Sequence, residues 1–240
     1  MRASSAEPTP SPNIWRQPEV YERLNRAGDP DGIVLAALDR LLGKQRPARA
    51  VDVGCGTGYH LPALAERADR VVGVEPHAGL LDRARQRVRR ARLDDRVDVT
   101  PGVAQRLPLD DGSVDLVFSH WAYFFGPGCE PGLAEADRVL RPGGWQVVVD
   151  LDTQAHHGYA SWFADSGTQV ADRGPAFFTD RSFTQWRLPV VWQFTSRADL
   201  VAVLRIEFPA AVAERALRQT IGTTIAVPTV LRARRLGVVS

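Results

Sequence analysis

Lysine is almost missing from this chain. Lys44 stands alone, and arginine carries nearly all of the basic charge, a bias of coding composition rather than of chemistry. With a net charge of +2, there is no basic excess that demands nucleic acid. Arg83, Arg85, Arg87, Arg89, Arg90 and Arg92 spiral around one expected helix without a single basic face, which reads as a solvated surface. Cysteine is equally scarce: Cys55 and Cys129 are too few for a disulfide framework or a thiolate metal site. His156 and His157 lack a third ligand at usable spacing, so no metal is expected. No apolar run approaches membrane-spanning length. The N-terminal MRASSAEPTPSPN lacks the apolar segment of a signal peptide, and its Ser, Pro and Thr content predicts a disordered tail over residues 1–17. These absences predict a cytoplasmic protein with neither a nucleic-acid nor a membrane partner.

What is present is concentrated in residues 51–59, VDVGCGTGY. Val51-Asp52-Val53 reads as a buried strand, and the apolar spacing from His60 to Ala68 reads as a helix. Between them Gly54, Gly56 and Gly58 alternate. Glycine supplies backbone angles that a side chain forbids and lets a ligand touch the main chain. A dinucleotide loop is G-x-G-x-x-G, with a small third residue for close strand–helix packing. Tyr59 holds that place here and is too bulky, which argues against a nicotinamide-dependent dehydrogenase. The next strand, Val71 to Val74, ends in Glu75, 17 residues after Gly58. A carboxylate there suits a ribose, because it accepts charge-assisted hydrogen bonds from both hydroxyls; a solvated loop carboxylate is the bland alternative.

From Ala48 onward strands and helices alternate, the pattern of a parallel sheet covered on both faces. Strands are expected at 49–53, 71–74, 96–100, 114–119 and 145–150, and helices near 58–68, 77–92 and 130–140. Before them, 18–46 holds two helical patterns broken at Gly28-Asp29-Pro30, with Asp29 and Pro30 as N-cap and first turn. These helices bring Tyr21 and Asn25 toward a ligand or into the core. Residues 152–185 show no strong period, with one helix around 159–171. A strand at 190–195, helices at 197–207 and 209–219 and a last strand at 223–232 follow. Pro228 argues for a bulge or boundary within that last strand.

VDVGCGTG, the strand-end Glu75, LPLDDGSVDLVFS and LRPGG occur in an order and spacing that resembles the class I S-adenosylmethionine-dependent methyltransferases. The stretch WAYFFGPGCEPGLAEADRVLRPGG resembles a bacterial subgroup acting on small molecules. The resemblance covers roughly 47–152 well and the rest loosely. It implies a Rossmann-like, doubly wound, mostly parallel sheet of seven strands with the last antiparallel. The domain would span 18–240: N-terminal helices at 18–46, a cofactor core at 47–152, an inserted lid at 153–188 and the rest of the sheet at 189–240. It also implies S-adenosyl-L-methionine as cofactor, bound by Asp52, Gly54, Cys55, Gly56, Thr57, Gly58, Glu75, Pro76, Ala104, Gln105 and Ser119. In such enzymes the segment PGVAQRLP carries an acidic residue for the adenine amino group, where this chain has Val103. Either Gln105 or a backbone carbonyl substitutes, or adenine is held more weakly, by about 1 kcal/mol.

Methyl transfer needs alignment and exclusion of water, and a protic acceptor also needs a base. His120, after the strand 114–119, is the catalytic candidate; capping or packing that loop is its alternative. His60 is the second, expected to face solvent or the cofactor's tail. Trp121, Tyr123 and Phe124, with Tyr21 and Trp162, are expected to bind substrate as the wall of an apolar or aromatic pocket, although some must be ordinary core. Phe125, Phe163, Phe177, Phe178 and Trp186 extend that character. The expected function is methylation of a small molecule in secondary metabolism with release of S-adenosylhomocysteine. A cyclase-like or binding-only relative, an RNA or protein methyltransferase and a homodimeric assembly stay open.

Overall fold

The structure, a computed structural model, describes residues 7–8, 10–166 and 174–237. Three helices, α1 (Pro12–Arg16), α2 (Pro18–Ala27) and α3 (Ile33–Leu42), precede β1 (Arg49–Val53). Then come α4 (Leu61–Arg67), β2 (Arg70–Glu75), α5 (Ala78–Arg90), β3 (Val97–Pro101), β4 (Val114–His120), α6 (Glu130–Val139) and β5 (Leu140–Leu151). The chain closes with α7 (Gly158–Asp165), α8 (Gly174–Thr179), β6 (Thr184–Gln193), α9 (Arg197–Glu207), α10 (Ala210–Gln219) and β7 (Thr224–Arg235).

One seven-stranded sheet runs β3-β2-β1-β4-β5-β7-β6. The first five strands are parallel, whereas β7 is antiparallel to both β5 and β6. Successive β1 residues supply opposite faces. Ala50 joins the core under α3, α4 and α9, while Val51 and Val53 join the core under α6 and α8. That two-sided burial is why the strand reads as a continuous apolar run rather than an alternation. Strand order reverses beside β1, between β2 and β4, and ligands of such sheets bind beyond the carboxyl ends at that reversal.

Two local expectations need correction. Residues 12–16, expected in the unstructured tail, form α1; Pro12 stands at its first turn, where proline is tolerated. The rest of that expectation falls partly on residues 1–6 and 9, outside the described residues, as do 167–171 of the helix expected at 159–171. Asp29 does not directly precede a helix. Its carboxylate reaches forward to accept the Ile33 and Val34 N–H groups, both at 2.8 Å, a cap worth about 1 kcal/mol. Pro228 causes no bulge but does mark a boundary, the end of the β5–β7 pairing. It lies opposite Pro189 of the edge strand β6 and beyond the last β5–β7 pair, so its missing N–H costs only a bond at the end of β5.

The β6–β7 pairing continues for five pairs past Leu151, from Pro189↔Pro228 to Gln193↔Thr224. This two-stranded overhang rises above the carboxyl edge of the sheet and walls one side of the site.

Candidate functional site

The glycine loop is built on left-handed backbone. Gly54, Gly56 and Gly58 have φ of 77°, 55° and 75°, angles that cost an L side chain roughly 1–2 kcal/mol. Close approach adds a second reason at Gly54, where a Cβ would stand 2.4 Å from the Cβ of Ala122. Ala122 belongs to the turn after β4, and its neighbours Trp121 and Tyr123 also adopt positive φ, 51° and 53°. Non-glycine residues hold such angles at a cost of order 1–3 kcal/mol, typically where a site demands it. Ser119 closes this turn by donating its hydroxyl to the Ala122 carbonyl at 2.9 Å.

Two carboxylates flank the loop from below. Glu75 is 4% exposed; one oxygen accepts the Gly56 N–H at 3.1 Å, the other the His77 N–H at 3.0 Å. Burial raises its pKa, opposed by those two donors. Asp52 is 2% exposed and its Oδ2 has no partner. Burial, with the Glu75 charge, lifts its pKa to about 7. Arg87 does not relieve either one, since it pairs with Glu22 of α2 and donates to the Thr57 carbonyl at 2.8 Å. Buried carboxylates without a cation are expensive.

Both open into a cavity of about 560 Å³ at the carboxyl edge of the sheet. Of the residues expected at the site, it gathers Asp52, Gly54, Cys55, Gly56, Thr57, Glu75, Pro76, Ala104, Gln105, His120, Trp121, Tyr123 and Tyr21. Asn25, Val103, His60 and Phe125 also line it. Four expected residues lie elsewhere. Gly58 packs instead on α5, where a Cβ would meet that of Ala84 at 3.0 Å. Ser119 is buried behind the turn. Phe124, 1% exposed, fills the core under α6, because the left-handed Tyr123 turns the chain inward. Trp162 donates its indole N–H to Gln219 of α10 and packs on Phe208, so it serves the α7–α10 contact. Phe163, Phe177 and Phe178 are likewise packed in the two cores, and Trp186 is exposed on the outer strand. His156 and His157 are exposed and do not reach the cavity.

His60 does not face solvent. Its ring lies 4.5 Å, centroid to centroid, from that of His120, and both line the cavity. Burial, with Arg87 nearby, lowers the His60 pKa to about 4. Burial, with His60 beside it, holds His120 well below the usual histidine range.

The structure adds residues that the sequence did not mark. Ile14 and Trp15 of α1 close the top, with Trp15 stacked on His77 at 5.2 Å. Val190, Trp192 and Thr229 of the overhang form the far wall. An isolated tryptophan in a Pro- and Ser-rich stretch, next to a Ser11-Pro12 helix start, is the one signal that Trp15 offered. The Gln105 amide donates to the Glu7 carbonyl at 3.3 Å, so it too ties the N-terminal segment down. Among the described residues the lining includes Asp29, Asp52, Glu66 and Glu75 and neither arginine nor lysine. Its field therefore favours cations and disfavours anions.

Residues 51–148 match the family described as a methyltransferase domain. Methyltransferase GfsG of Streptomyces halstedii is 31% identical over 138 residues, 57% of this chain and 49% of that protein. The chain thus spans about half of that relative and 34% of another curated relative, an uncharacterised Streptomyces fradiae protein. Among solved structures, YcgJ of Bacillus subtilis superposes with a TM-score of 0.62 at 14% identity, covering 85% of this chain and 97% of its own. The cyclase SpnF does so at 0.61 and 18% identity, covering 98% and 100%. At these identities the structures show the fold alone. No described helix is long and apolar enough to cross a membrane. Sheet order and glycine loop agree with that match, and residues 51–148 are similar to the methyltransferase domain family.

Proposed function

We propose that this protein transfers a methyl group from S-adenosylmethionine to a small, apolar or aromatic molecule and releases S-adenosylhomocysteine. The observation that carries the reading is one cavity that holds two buried carboxylates and no fixed cation beside aromatic walls. The unpartnered Asp52 Oδ2 suits the ammonium of the methionine moiety. Glu75 keeps lone pairs free beyond its two backbone bonds and suits the ribose hydroxyls. The left-handed Gly54 and Gly56 leave the main chain open to contact, while Pro76, Ala104 and Gln105 border the place of the adenine. The same field argues against a dinucleotide pyrophosphate, which has no cation to meet here, and against a phosphorylated acceptor.

When bound, the cofactor supplies a methyl group already activated on a sulfonium, so the protein supplies alignment and dryness. Trp121 and Tyr123, fixed by strained backbone, with Tyr21, Trp192 and Val190 bound the space left for an acceptor. Trp15 and Ile14 cover the opposite end.

The test is incubation of purified protein with methyl-labelled S-adenosylmethionine and a cell extract split into small-molecule and macromolecular fractions. Label in the small-molecule fraction is expected. Label only in the macromolecular fraction makes RNA or protein the acceptor. Binding of S-adenosylhomocysteine with no label transferred points to a binding or cyclase-like role.

A further inference from the structure

A neutral acceptor has to lose its proton inside this cavity. An acceptor arriving as an anion, phenolate or thiolate, meets Asp29, Asp52, Glu66 and Glu75 and no arginine or lysine among the described lining residues. Of those carboxylates, Asp29 caps α3, and Glu66 stands at the rim with its side chain 77% exposed. Asp52 and Glu75 flank the glycine loop, where the proposed cofactor occupies them. The remaining bases are His60 and His120, in contact at 4.5 Å where the glycine loop meets the end of β4. Phe118 and Trp121 enclose them, with ring centroids 5.9 Å from His60 and 6.3 Å from His120, respectively.

We propose that His60 and His120 act as one proton-accepting pair, and that the acceptor group is therefore a neutral hydroxyl of phenol-like acidity. The inference rests on the proposed methyl transfer. The acceptor oxygen forms its bond to the methyl carbon, the S–C electron pair stays on sulfur, and the O–H proton moves to an imidazole. Charge is conserved: one positive charge leaves sulfur and one appears on the pair. Repulsion between two adjoining imidazoles bars a second proton, so the pair takes up one at a time. Arg87 on α5 acts on His60, the Tyr59 ring stands edge-on 5.3 Å from it, and Glu66 on α4, Asp29 before α3, Tyr21 on α2, and Asp52 and Glu75 at the strand ends line the same cavity. Burial keeps both rings neutral at pH 7, each with an unprotonated nitrogen.

The experiment has two arms on the full-length protein. Imidazole carbon resonances of 13C-histidine protein saturated with S-adenosylhomocysteine are followed from pH 3 to pH 8, in wild type and His60→Gln. The pair is expected to take up one proton, and loss of His60 to move the His120 titration upward by at least half a pH unit. Independent titration, or a His120 curve indifferent to His60→Gln, overturns the pairing. In the second arm, 13C-methyl S-adenosylmethionine and the small-molecule extract give a product whose methyl shift distinguishes oxygen, nitrogen and carbon acceptors. An O-methyl product, formed at least tenfold more slowly by His120→Gln with S-adenosylhomocysteine affinity unchanged, is expected; an N- or C-methyl product overturns the assignment. Failure to bind S-adenosylhomocysteine at all overturns the proposed function instead.

Discussion

Glu75 and Asp52 stand side by side at the strand ends yet behave differently, because only one is hydrogen-bonded on both oxygens. Glu75 is held by the Gly56 and His77 N–H groups, so it is oriented before any ligand arrives. Its replacement by alanine is expected to weaken S-adenosylmethionine binding by about 1.5–3 kcal/mol, the worth of hydrogen bonds to a charged group, as read by calorimetry. Asp52 is left with an orphan oxygen and a pKa raised to about 7 from 3.8. A folded pKa above the unfolded one means stability that is full below pH 3.8 and is lost as pH rises to 7. Asp52→Asn is therefore expected to stabilise the free protein by about 1–3 kcal/mol at pH 8 and to change nothing below pH 4, while lowering cofactor affinity. Chemical denaturation at the two pH values checks the first effect and titration the second. The buried histidines have the opposite sign. With the His60 pKa lowered to about 4, stability is full above pH 6.5 and falls as pH drops from there toward 4.

Elements of modest length carry the site. α1 has five residues, too few to be stable alone, yet it is held from several sides. Asn13 donates to the half-buried Glu207 at 3.3 Å, and Trp15 stacks on His77. Glu22 of α2 accepts from Thr57 of the glycine loop and from Arg87, so the N-terminal layer is tied to the loop it covers. Trp15→Ala is expected to weaken S-adenosylhomocysteine binding by about 1–2 kcal/mol through lost aromatic contact, with a melting temperature close to wild type. An unchanged dissociation constant would remove α1 from the site.

Across the whole molecule, the β6–β7 overhang joins two distant stretches of chain at the cavity. Trp192 is 3% exposed and touches Trp121 and Tyr159. Trp192→Phe keeps an aromatic ring in that wall. It is expected to change the acceptor KM several-fold and leave the S-adenosylhomocysteine dissociation constant intact, because the overhang borders the space proposed for the acceptor. Steady-state kinetics with the acceptor recovered from the labelled extract would reveal it; equal change in both constants would contradict the division.

The parallel core, the glycine loop and the strand-end carboxylates were legible in the sequence because each depends on neighbours within about nine residues. Val51-Asp52-Val53 followed by alternate glycines determines its own turn, and Glu75 needs only the end of its strand. Tertiary structure decided what local pattern leaves open. Of the aromatic run after β4, Trp121 and Tyr123 face the cavity and Phe124 the core, a split set by left-handed backbone packed against Gly54. His60 lines the cavity as a neighbour of His120, a contact that only the parallel pairing that brings the glycine loop beside β4 could establish. Trp15 and Trp192 lie in stretches with no motif, some 180 residues apart, and burial of apolar surface around one cavity is what brings both to it.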